Sequence, residues 1–106
     1  MVNRFDVYLI NLDERPTKDP KNTRPAVVIS PNELNRNVDT AIIAPLASTN
    51  ATYPTRVPVT FLNTERFVIL DQIRTVDKTR LAKKIGSIDA GGTQQILKVL
   101  AELFAE

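Results

Sequence analysis

Residues 56–76 read RVPVTFLNTERFVILDQIRTV, and their pattern sets the fold class. In 56–61 apolar and polar side chains alternate. Val57, Val59 and Phe61 fall on one side and Arg56, Pro58 and Thr60 on the other, the two-residue period of a strand with one buried face. Pro58 lacks the amide hydrogen a neighbouring strand would need, which assigns this strand to a sheet edge. Farther along, FVIL (67–70) and IRTV (73–76) flank Asp71 and Gln72 and form either one long bent strand or two short ones.

On the N-terminal side lie three further strand candidates, FDVYLINL (5–12), PAVVIS (25–30) and TAIIAPL (40–46), all short and rich in β-branched or aromatic residues. Pro45 near the end of its run calls for an edge position or a bulge. Residues 32–35, behind Pro31, form a helical turn or a plain turn, and 78–81 form a brief turn of helix. On the C-terminal side Ile96, Leu97, Leu100, Leu103 and Phe104 recur at helical spacing, with Gln95, Lys98 and Glu102 opposite. This predicts an amphipathic helix capped by Asp89 or Thr93, its first turn weakened by Gly91 and Gly92. Short strands mostly in sequence order, then one helix, imply a mainly β (α+β) fold. The expectation is a small SH3-like antiparallel barrel, closed or nearly so, with the helix packed against it.

The chain has 106 residues, enough for one core and a single domain over 1–106. It contains neither cysteine nor histidine. Thiol chemistry is thereby excluded, and the usual general base and commonest metal ligand are missing. Any catalysis must come from Arg, Lys, carboxylates or hydroxyls. Acidic residues are dispersed, so no metal site is expected, and the three glycines do not form a phosphate loop. A net charge of +2 and a pI near 9.2 suit a nucleic-acid partner without identifying one. The N-terminal residues lack a basic segment followed by an apolar core, and no apolar run approaches the ~20 residues of a membrane span. A soluble, cytoplasmic protein with no membrane partner is expected.

Three places could carry chemistry. DERPTKDPKNT (13–23) is a long polar loop, and long loops in small domains are commonly functional. Arg24 ends it, with Pro25 restricting the Arg24 backbone to extended conformations. A guanidinium on so constrained a stem can present paired donors to a phosphate, or Arg24 is an ordinary solvated strand-end cation. Asp71-Gln72-Ile73-Arg74-Thr75 forms a polar patch between apolar runs. Asp71 there either fixes a bend by accepting hydrogen bonds or stands near a reacting hydroxyl. Ala47-Ser48-Thr49-Asn50 is either a plain loop or a set of groups for a phosphate oxygen.

These places together resemble the MazF/PemK-like toxins of bacterial toxin-antitoxin pairs. The likeness runs through Asp6-Val7-Tyr8, Thr23-Arg24-Pro25-Ala26-Val27-Val28-Ile29-Ser30-Pro31, Asn35-Arg36, Ala44-Pro45-Leu46, Tyr53-Pro54-Thr55-Arg56-Val57 and Asp71-Gln72-Ile73-Arg74-Thr75-Val76-Asp77. The resemblance implies a homodimer of SH3-like barrels that cleaves single-stranded RNA at short sequences without a cofactor or metal, held in check by a cognate antitoxin. The ribose 2′-hydroxyl would attack the adjacent phosphorus, leaving a 2′,3′-cyclic phosphate and a 5′-hydroxyl. Arg24 matches the family's catalytic arginine, and Asp71 a carboxylate proposed as base in some members. The expected RNA contacts are Lys18, Lys21, Asn22, Thr23, Ala47, Thr49, Asn50, Gln72 and Arg74.

Two positions depart from the family pattern. A Pro-Leu-Thr-Ser element is common, but here Pro45-Leu46-Ala47-Ser48 lacks the threonine hydroxyl that holds the scissile phosphate. A hydrogen bond to a charged group contributes about 1.5 to 3 kcal/mol, so cleavage slows roughly 10 to 150 fold unless Ser48 substitutes. Asp19-Pro20 stands where many members have Glu-Gln, leaving Asp19 as a shorter catalytic carboxylate. The alternatives are a catalytically weakened relative that binds RNA or antitoxin, or a CcdB-like gyrase poison. The last relies on a C-terminal Trp-Gly-Ile ending, and this chain has no tryptophan.

Overall fold

The computed structural model describes residues 2–11, 22–48 and 53–105. Among them the elements run β1 (Asp6–Asn11), β2 (Thr23–Val28), α1 (Asn32–Asn37), β3 (Thr40–Ala47), β4 (Arg56–Phe61), β5 (Thr64–Ile69), β6 (Arg74–Asp77), β7 (Leu81–Ser87) and α2 (Ala90–Leu103). Short 3-10 turns at Leu70–Gln72 and Lys78–Arg80 bracket β6. The strands form one curled antiparallel sheet in the order β4-β5-β3-β2-β1-β7, with β6 on β3. This is the mainly β, barrel-like fold with a C-terminal helix that the sequence predicts.

The curl follows from β3, whose one edge serves two partners in turn. Thr40 to Ile43 pair with β6, and Leu46 and Ala47 pair with β5. The chain must therefore cross from β5 to β6 between Val68 and Arg74, and the 3-10 turn at Leu70–Gln72 makes that crossing. Of the two expectations for 67–76, two separate strands is the correct one. Pro45 departs from expectation, because β3 is internal rather than an edge. It is tolerated where that edge of β3 passes from one partner strand to the other. Pro58 does sit on the edge strand β4.

Alternation along the strands gives the sheet two apolar faces. Val7, Val27, Ala44, Leu46 and Val68 pack on one side with Val57, Val59, Phe61, Ile96 and Val99, tying the sheet to α2. Ile10, Ala26, Val28, Ile43 and Val76 form a second cluster on the other side. The Asp89 carboxylate caps α2, accepting from Gly92 N at 2.7 Å. Gly92 serves packing as well: a Cβ there would lie 2.6 Å from Ile88 Cγ2 and 3.2 Å from Val59 Cγ1. The glycine that weakens the first turn of the helix thus lets that turn approach the sheet.

Strand β7 was not anticipated from sequence. Ala82, Lys83 and Lys84 are exposed and only Leu81, Ile85 and Gly86 are half-buried, so no clean alternation marks it. Its pairing with β1 also shifts register twice. Gly86 is required there, since a Cβ would stand 2.8 Å from Phe61 Cε1.

Candidate nucleic-acid interface

Arg24 is the second residue of β2, opposite Ile10 of β1. The extended backbone that Pro25 imposes is realised as strand. The side chain is exposed, its Nη1 donates to the Thr23 carbonyl oxygen at 2.9 Å, and among the described residues no carboxylate pairs with it. Strand β2 meets β3 with Ala26 opposite Pro45. The pairing ends there; the same antiparallel register continued two residues would bring Arg24 level with Ala47. Ala47 in turn pairs with Phe67, and Phe67 with Pro58. Ala47, Phe67 and Pro58 thus form one row across β3, β5 and β4.

Two residues along β5 and β4, the next row on this face contains Ile69 and Arg56, which are paired. Arg56 anchors a compact cluster. Its guanidinium carbon lies 4.7 Å from the ring centre of Tyr53, and its Nε lies 3.7 Å from Asp71 Oδ1 yet has no hydrogen-bond partner. The Thr55 hydroxyl donates to the same Oδ1 at 3.0 Å, while Thr55 O accepts from Leu70 N at 3.0 Å. The side chain of Arg56 is 16% exposed and that of Asp71 39%. Among the described residues Asp71 is therefore held by one oxygen, with the other unengaged.

Three strand steps separate β2 from β4 in the sheet order, and no contact joins Arg24 to Asp71. Ser48, directly after β3, is exposed; Asn22 is exposed and Thr23 half-buried at the start of β2. Gln72 and Arg74 are exposed. Arg74 lies opposite Ile43, itself opposite Val28, so it shares the Arg24 face four residues down the strands. Lys18, Asp19, Lys21, Thr49 and Asn50 fall outside the described residues. The sequence reading gave no role to Tyr53, Thr55 or Arg56. A signal for them existed: a two-residue hairpin turn at Leu62-Asn63, both with positive φ, fixes the β4–β5 register and brings Arg56 to the end of β5, beside Asp71.

Farther along the face, the buried Asp6 carboxylate pairs with Lys84 Nζ at 3.2 Å and accepts from Asn3 N at 3.0 Å. Tyr8 beside it has its pKa raised above the usual 10.0, mainly by burial and then by the Asp6 charge, with Lys84 acting in the opposite direction. Among the described residues no group of three or more acidic side chains could hold a metal ion, and no helix is long and apolar enough to cross a membrane.

A small curled sheet presenting arginines, a hydroxyl and an exposed aromatic ring on one face offers donors for phosphate and a surface for bases. Over residues 3–104 the chain matches the model of the PemK-like, MazF-like toxins of type II toxin-antitoxin systems, and it belongs to that family. Its fold is shared by solved structures at low identity. One is an endoribonuclease in complex with its cognate antitoxin from a mycobacterial species, with TM-score 0.81, 24% identity, and coverage of 96% of this chain and 93% of that one. A MazE-MazF structure from Deinococcus radiodurans gives 0.79, 22%, 98% and 95%. The toxin MazF-mt6 of Mycobacterium tuberculosis gives 0.76, 20%, 93% and 95%.

Proposed function

We propose that this toxin is an endoribonuclease that cleaves single-stranded RNA at short preferred sequences, without a metal ion. The observation that carries the reading is Arg24, exposed and without a carboxylate partner among the described residues, on the strand whose pairing with β3 reaches Pro45, two residues before Ala47. The 2′-hydroxyl forms the new bond to phosphorus as the bond to the 5′-oxygen breaks. One proton leaves the nucleophile and another reaches the departing oxygen. Arg24 stabilises the charge that accumulates on the phosphorane oxygens and can supply the second proton. Ser48 offers a hydroxyl where Ala47 has none. Asp71 has one oxygen without a partner among the described residues and no contact with Arg24, which suits a neighbouring nucleotide better than the scissile phosphate. Asp19 remains the loop carboxylate proposed to assist proton transfer.

The partners follow from the same reading. A cognate antitoxin chain is expected to bind and silence the protein, as supported by the antitoxin complexes among its structural neighbours. A homodimer is supported by apolar side chains left exposed on and just after α2, Leu97, Leu103 and Phe104, beside a groove lined by Pro54, Thr55, Val99 and Glu102. A cytoplasmic location fits an RNA substrate. The second reading, a weakened relative that mainly binds RNA or antitoxin, is favoured by Ala47 alone. The purified protein incubated with a long RNA in EDTA separates them. Fragments ending in 2′,3′-cyclic phosphate and 5′-hydroxyl, absent with Arg24→Ala, are expected. Intact RNA that is nevertheless bound supports the weakened relative, and trapped gyrase–DNA complexes in a parallel assay would overturn both readings.

A further inference from the structure

Tyr53, Arg56 and Asp71 do something for which the phosphate chemistry at Arg24 has no use. Arg56 covers one side of the Tyr53 ring at 4.7 Å, and Tyr53 nevertheless stays 57% exposed. A ring backed by a mostly buried cation is rigid, and its open side is a stacking surface of the kind that unpaired bases occupy on aromatic side chains and arginine planes. Asp71 stands beside this stack through Arg56. Thr55 and Arg56 both address Oδ1, so among the described residues Oδ2 of this partly exposed carboxylate has no partner and is an available acceptor. An ionised carboxylate only accepts. It therefore favours a base edge carrying an exocyclic amino group, as in cytosine, adenine or guanine, over uracil, whose single edge donor lies between two carbonyl oxygens that repel the carboxylate.

We infer that Tyr53 and Asp71 form a nucleobase subsite: Tyr53 stacks one base of the bound RNA, and Asp71 Oδ2 selects a base with an exocyclic amino group. Thr55 and Arg56 are positioning residues that hold the carboxylate and the ring. The inference rests on RNA being the ligand of this face. It assigns Asp71 to recognition rather than to proton abstraction at the phosphate that Arg24 holds, in keeping with the absence of any contact between Arg24 and Asp71.

The test uses the full-length protein and short RNAs that differ at one base at a time, 2′-deoxy at the cleaved nucleotide so that binding is read without cleavage. One position is expected at which amino-bearing bases bind about tenfold more tightly than uracil, with Asp71→Asn reducing that ratio to about twofold, because a carboxamide can also donate to a uracil carbonyl. Tyr53→Leu should weaken binding about 5 to 100 fold whatever base stands there, and Tyr53→Phe should restore it. Matched ribo-oligonucleotides then report cleavage. If Asp71→Asn slows cleavage of every sequence equally and leaves the binding ratio unchanged, the subsite is overturned while the nuclease reading stands. Base-selective binding without cleavage sinks the nuclease reading and keeps the subsite. An unaltered affinity in Tyr53→Leu, or no binding of any RNA, overturns the subsite.

Discussion

Arg24 and Arg56 are the same residue in opposite settings on one face of one sheet. Arg24 stands exposed on β2, and among the described residues its side chain donates to the carbonyl of the preceding residue alone. Arg56 is mostly buried, stacked on Tyr53 and directed at Asp71. The difference separates two uses of a guanidinium. One that keeps its donors unengaged can meet an incoming anion. One packed into the protein organises its neighbours, and its loss is felt through them.

The largest expected effect breaks that contrast at Arg24. Arg24→Ala should lower cleavage about 100 fold or more, the scale of losing a donor to an oxyanion, while leaving the unfolding midpoint in urea within experimental scatter, as for an exposed strand residue. A mutant that cleaves normally removes Arg24 from the chemistry. Next comes its neighbour. Ala47→Thr puts a hydroxyl at the end of β3 and should raise the cleavage rate roughly tenfold or more if it reaches the phosphate. An unchanged rate would mean that Ser48 already fills this role.

At the other arginine the readout is stability. Arg56→Ala removes packing against Tyr53 and leaves Asp71 with Thr55 alone, so equilibrium unfolding should lose about 1 to 2 kcal/mol. A loss equal to that of Arg24→Ala would erase the distinction between the two arginines. The smallest effect lies at Tyr8. Its raised pKa means the folded state favours the neutral phenol, so this contribution is fully present below pH 10 and is lost as pH climbs through the folded value. The fall in melting temperature between pH 9 and 11 should be shallower in Tyr8→Phe than in the parent.

Much of the fold is legible in the sequence wherever burial imposes a period. The alternation over 56–61 is strand β4, residue for residue; the helical spacing from Ile96 marks α2, although the helix ends at Leu103 and buries Ile96 with Val99 while Leu97, Leu103 and Phe104 are exposed. The helical turn after Pro31 extends to Asn37, and β2 opens at Thr23 rather than Pro25. Legibility fails where packing is one-sided or pairing is shared. β7 has too few buried residues to mark a period, and Pro45 is accommodated only because β3 changes partner beside it.

The candidate site divides in the same way. Arg24 could be singled out from the sequence because a local rule, the restriction imposed by Pro25, acts on it directly. Asp71 could be noticed as a polar interruption between apolar runs, but its surroundings could not be read. By itself the sequence determined an antiparallel β-rich domain with a C-terminal helix, and the residues that could meet an anion. Tertiary structure alone decided that Ala47, Phe67 and Pro58 share a row, and that Arg56 is held between Tyr53 and Asp71. The physical reason is that strand periodicity is written locally by burial, whereas neighbours across a sheet are set by pairing between segments far apart in the chain.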